Sequence, residues 1–114
     1  AVVDAGALAR EVGGARVHRD QLCRLVEDME RPNVTLQVLP SDAGEHMALG
    51  TPFNLFSFGD GCGAVAIDHL AGTFCMEDQA TVARYNFAFQ HLRATALSAR
   101  DSLCWVRRMA GAVN

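Results

Sequence analysis

The sequence predicts an α+β fold, with a small mixed β-sheet packed with at least three helices in a single domain over residues 1–114. Three observations carry this. "QLCRLVEDM" places Leu22, Leu25, Val26 and Met29 at i, i+3, i+4 and i+7, the period of an amphipathic helix. "NVTLQVL" and "PFNLFSF" alternate residue by residue, as strands do. A long helical stripe of Val82, Tyr85, Phe89, Leu92 and Ala96 comes after the strands. Helices before and after a run of strands make the α+β arrangement.

Taken in order, "AVVDAGALAREVGG" reads as a short strand, Ala1 to Val3, and a helical turn through Leu8 that Gly13-Gly14 ends. The amphipathic helix runs through "ARVHRDQLCRLVEDME" and stops at Arg31-Pro32-Asn33, because Pro cannot continue a helix. A strand from Val34 to Leu39 follows, and Pro40 closes it. "PFNLFSF" is apolar on both faces, so it is expected inside a sheet covered on both sides. "GDGCG" turns the chain into "AVAIDHLAG", which makes a hairpin, and "TFCME" adds a short strand. Asp78 is an N-cap for a helix of about 19 residues, and Ser98 with Asp101 three residues on starts the last one. A helix between the first two strands allows a parallel pair there, beside the antiparallel hairpin.

Composition narrows the function classes. Half of the 114 residues are hydrophobic and a fifth are charged, as in a globular chain. No apolar run approaches the roughly 18 residues of a membrane span, and no secretory signal is visible. A cytoplasmic protein is therefore expected, with reduced thiols. All ten basic residues are Arg, and Ile occurs once, a usage that points to a GC-rich bacterial genome. The net charge of −3 and the lack of a basic footprint beyond Arg107-Arg108 argue against nucleic-acid binding by this segment. Cys23, Cys62, Cys75 and Cys104 form no CxxC pair, and there is no HxxxH or HxxE spacing, so no metal site and no cofactor are expected. Cys23 and Cys104 are expected on buried apolar helix faces; His18 and His91 are expected at the surface. No nucleophile elbow or phosphate-binding loop occurs.

Two stretches carry candidate chemistry. "SDAGEHM" follows the Val34–Leu39 strand and holds Asp42, Glu45 and His46. A carboxylate can orient an imidazole, and His titrates near neutral pH. Asp42-Ala43-Gly44 is also ordinary turn chemistry. Asp68-His69 lies inside a strand, where Val65, Ile67 and His69 share one face and Ala64, Ala66, Asp68 and Leu70 the other. If both faces are covered, one ionisable group is buried and needs a partner. The candidate ligand-binding residues are Glu45, His46, Phe53, Phe56, Phe58, Asp68 and His69, with Asp68, His69 and His46 as acid–base candidates. Core packing is the plain alternative for the three Phe residues.

The pieces "VVDAGALAREVGG", "QLCRLVEDMERPNVTLQVLP", "DAGEHMALGTPFNLFSF", "MEDQATVARYNFAFQHLRATALS" and "DSLCWVRRMA" occur in the order of one bacterial family. The chain resembles the C-terminal domain of unknown function in XRE-type helix-turn-helix transcriptional regulators, over nearly its whole length. "PNVTLQVLP", "DAGEH", "TPF" and "VARY" carry most of the likeness. Ala5 after Asp4, Asp68 in place of Glu, and His69 and Cys75 depart from the family pattern. The resemblance implies an effector-sensing or protein-interaction domain, lacking the DNA-binding part in this chain, that receives a small-molecule ligand or a small partner protein. A homodimer is compatible with it, since such regulators read two half-sites. The alternative is a stand-alone, cofactor-free biosynthetic enzyme, a cyclase or isomerase acting on a small natural product.

Overall fold

The computed structural model describes residues 1–11, 13–40, 52–58 and 62–112. They form an α+β structure with elements in the order β1 (Val2–Asp4), α1 (Ala5–Ala9), α2 (Ala15–Met29), β2 (Gln37–Leu39), β3 (Asn54–Ser57), β4 (Gly63–His69), β5 (Gly72–Met76), α3 (Gln79–Thr95) and α4 (Ala99–Ala112). The parallel pair and the antiparallel hairpin fall in two separate sheets, β1-β2 and β3-β4-β5. The chain divides into two compact units: Ala1–Gly44 with Arg93–Asn114, and Glu45–Leu92.

In the first unit β1 and β2 run parallel, with Val3 beside Val38. Two helices intervene between them, as a parallel crossover needs. Gly13 (φ 79°) and Gly14 (φ 94°) turn the chain between α1 and α2; a Cβ on Gly13 would also sit 3.2 Å from the Val17 side chain. β2 is shorter than the expected Val34–Leu39 strand. The Val34 N–H is spent on a turn, donating to the Arg31 carbonyl at 3.1 Å, and β1 offers only three residues to pair with.

Backbone groups of a strand point alternately to its two sides. On the β1 side, the Gln37 N–H donates to the Ala1 carbonyl at 2.8 Å. On the other side the described residues place no third strand, and the segment that leads into α4 pairs there instead. The Val38 N–H donates to Ser102 Oγ at 2.8 Å, and the Leu97 N–H donates to the Val38 carbonyl at 2.9 Å. Gln37 Nε2 donates to the Leu97 carbonyl at 3.0 Å and the Arg93 carbonyl at 3.2 Å, so it caps the end of α3. Ala5, Leu22, Leu36, Val38, Val106 and Ala110 form the core, with Leu8, Leu25, Val26, Leu97, Trp105 and Met109 around it.

In the second unit β4 is the central strand, with β3 and β5 antiparallel on either side. Ala64, Val65, Ala66 and Ile67 are all buried, so β4 is the strand covered on both faces. That role was expected of the Phe-rich strand, but β3 is an edge strand with Asn54, Phe56 and Ser57 exposed. Gly63 lies where a Cβ would meet Val82 of α3 at 3.2 Å, and the rings of Phe53 and Tyr85 pack edge-on with centroids 5.0 Å apart. Both expected helix starts are present. The Thr81 N–H and Oγ1 donate to Asp78 Oδ2 at 3.1 and 2.6 Å, and the Asp101 N–H donates to Ser98 Oγ at 3.1 Å.

Candidate functional site

The strongest candidate lies between α1 and α2. The last turn of α1 brings Ala7 and Leu8, the residue that follows it is Arg10, and one face of α2 brings Val17, His18, Gln21, Leu22 and Leu25. On α2 these recur at i, i+1, i+4, i+5 and i+8, so they line a single side of the helix. Together they line a half-open pocket of about 280 Å³.

Its walls are mostly apolar, with three polar groups. Arg10 follows α1 directly, with its N–H donating to the Gly6 carbonyl at 3.2 Å, and it is exposed. Gln21 is exposed one turn beyond Val17. No acidic residue lines the cavity. α2 begins behind Gly14, with no side-chain cap and no acid in its first turn, so the end that bears Val17 and His18 is positive.

His18 is the unusual member. Only 8% of its surface is accessible, and its Nε2 has no hydrogen-bond partner. The surface position expected for it is thus corrected. The apolar stripe of α2 does not begin at Leu22 but one turn earlier, and His18 occupies that first position. Leaving a buried polar atom unpaired costs a fold about 1–3 kcal/mol. An apolar side chain of similar size would fill this place more stably, so stability does not explain the imidazole.

The candidates named from the sequence are placed elsewhere. Glu45 and His46, with Asp42, lie outside the described residues. Asp68 is exposed and accepts a hydrogen bond from Thr73 Oγ1 at 2.7 Å; the two stand opposite each other in the β4-β5 ladder. β4 is covered on both faces only as far as Ile67, so Asp68 escapes burial. The backbone of His69 ends β4, and its side chain lies outside the described residues. Phe53 is half-buried against Tyr85, while Phe56 and Phe58 are 50% and 54% exposed, which removes core packing as their role. All four Cys are exposed, including Cys23 and Cys104; the buried stripe of α4 is Ser102, Val106 and Ala110, and Cys104 points away from it. His91 is exposed, as expected. Among the described residues no group of His, Cys, Asp and Glu is arranged to hold a metal ion, and no helix is long and apolar enough to cross a membrane.

Sequence reasoning missed His18, Arg10 and Gln21. The signal for His18 was present, since it stands four residues before Leu22 and so shares its face. Arg10 and Gln21 had none, because only the packing of α1 on α2 brings them to one cavity.

A family model described as "Domain of unknown function (DUF5753)" matches residues 1–108 of the chain. No curated protein matches, and no solved structure matches.

Proposed function

Because the chain belongs to the family described as a domain of unknown function (DUF5753), we propose that it is the effector-sensing domain of a bacterial transcriptional regulator of the XRE helix-turn-helix type. The cavity between α1 and α2 is the effector site in this reading. The single observation that supports it is the half-open pocket itself, whose mostly apolar lining carries the polar residues Arg10, His18 and Gln21. Binding sites are typically apolar with a few polar groups that fix the ligand's orientation.

The cavity is also well placed to transmit a signal. Its walls are α1 and α2, and the same α2 carries Leu22 into the core with Val38 and Val106. A ligand that reorders α1 against α2 therefore acts on the whole first unit. DNA binding belongs, in this reading, to a separate helical domain, and two half-sites call for a dimer.

The test uses the native polypeptide from its source. Its intact mass should exceed 12.3 kDa by a DNA-binding region, and it should protect DNA upstream of its own gene in a footprint that small-molecule extracts of the same cells alter. A native product without a DNA-binding region, or a footprint that no extract changes, contradicts the proposal.

A further inference from the structure

The burial of His18 suits only one of the two charge states of an imidazole. We infer that the junction of α1 and α2 is an acid-sensitive switch: when the His18 ring takes a second proton, α1 parts from α2 and the charged ring reaches water. This device is independent of the effector reading above.

His18 is buried, and its Nε2 has no hydrogen-bond partner. Both nitrogens of an imidazolium are donors, so the charged ring would hold a buried N–H without an acceptor. That costs more than burying the neutral ring. Nothing around the ring offsets the charge. Among the described residues no carboxylate lines the pocket that His18 shares with the α1 side, and Arg10 there is already a cation. The His18 N–H donates to the Gly14 carbonyl at 3.0 Å, so the ring stands at the positive start of α2, where the first turn holds no acid. Asp4 before α1 and Glu11 after it are exposed, as are Arg16, Arg19 and Asp20 on α2, and none of them lines the pocket. β2 has no titratable side chain. α4, which packs on α2, buries the uncharged Ser102, Val106 and Ala110, while its Arg100, Asp101, Arg107 and Arg108 are exposed. α1 is the element that yields. It has five residues against fifteen in α2, and so short a helix is marginal by itself. Gly13 and Gly14 give the connection the backbone freedom to let α1 move while α2 stays wound. An opened chain takes the proton in the ordinary imidazole range, near about pH 6.5. The closed junction resists it, so stability is lost as pH falls through that range.

The experiment is urea denaturation of the 114-residue chain at several values between about pH 7.5 and about pH 5.5, with amide exchange and the His18 ring followed by NMR. The midpoint should fall by roughly 0.5 to 1 M of urea for each pH unit below about 6.5. His18→Leu should flatten that fall. His18→Gln, polar but uncharged throughout, should flatten it too and serves if the Leu variant does not fold. The Arg10 amide, which donates to the Gly6 carbonyl at 3.2 Å, and the His18 amide report on the junction. On acidification both should lose protection more than the Val38 amide in the core does, and neither should do so in the variants. A fall that survives both substitutions belongs to another group and overturns the inference. So does a His18 ring that takes its proton near about pH 6.5 with the midpoint unchanged, because the closed fold then accommodates the charge. Protection lost equally at Val38 overturns the local opening. None of these results touches the effector reading, and a footprint that no extract alters leaves the switch standing.

Discussion

The first compact unit buries two polar side chains among its described residues, and its two sides treat them differently. On the α4 side Ser102 is fully buried and fully used: it accepts from the Val38 N–H at 2.8 Å and reaches the Leu97 carbonyl at 3.4 Å. On the α1–α2 side His18 is nearly as buried, yet its Nε2 is unpaired and a cavity lies beside it. Ser102 supplies the acceptor that the Val38 N–H needs and is structural. His18 Nε2 closes no hydrogen bond in the fold. A buried polar group whose partners are all present explains itself by stability; one without them calls for another reason.

The comparison can be broken from the largest effect downward. Leu22 belongs both to the core and to the cavity wall. Leu22→Ala should cost about 2–5 kcal/mol in urea denaturation, as core truncations do. A cost well below that range would mean that the cavity side does not share the core of the α4 side, and the contrast would lose its common frame.

Ser102→Ala should cost about 1–3 kcal/mol, because the Val38 N–H is left buried without an acceptor. Fast hydrogen exchange at Val38 in that variant is the accompanying sign. If exchange stays slow and stability is unchanged, Ser102 is not the structural partner described above.

A smaller effect sharpens the contrast from the second unit, where a polar residue is structural but exposed. The side-chain hydrogen bond from Thr81, followed by its backbone hydrogen bond, holds the Asp78 carboxyl below its usual pKa. A lowered folded value means that the contribution to α3 is present at neutral pH and is lost as pH falls through that value, below about pH 4. The Thr81 amide should therefore lose exchange protection on acidification, and Asp78→Asn should remove that pH-dependent step. A step that persists in the variant comes from another group.

The smallest expected effect is none. Asp68→Asn keeps an acceptor for Thr73 and lies outside the cavity, so affinity for a cavity ligand should not change. A clear loss of affinity, or of any catalytic turnover, would move the functional centre back to β4.

Most of the fold was legible in the sequence because it rests on local rules. Asp78 and Ser98 announce helix starts, Gly13-Gly14 a turn, and the run Ala64–Ile67 the second strand of a hairpin. The centrality of β4 over β3 was missed, because the Phe residues of "PFNLFSF" mimic a buried strand while Asn54 and Ser57 already mark an exposed one. The pairing of Val38 with Ser102 joins residues 64 positions apart and has no local signature. The site was legible least of all. Clustered polar residues such as Asp68 and His69 draw the eye, whereas His18 looks like any polar residue near a helix start until its position four before Leu22 is counted.

The most direct test of the central claim is urea denaturation of His18→Leu beside the unaltered chain. The substitution removes an unpaired buried nitrogen from an apolar wall and keeps the side chain apolar, so the midpoint should rise by the equivalent of about 1 kcal/mol with an unchanged slope. Such a rise would show a residue kept against stability, as binding residues often are. A fall of similar size would mean that the imidazole holds the fold together, and the α1–α2 cavity would lose its claim to be a site.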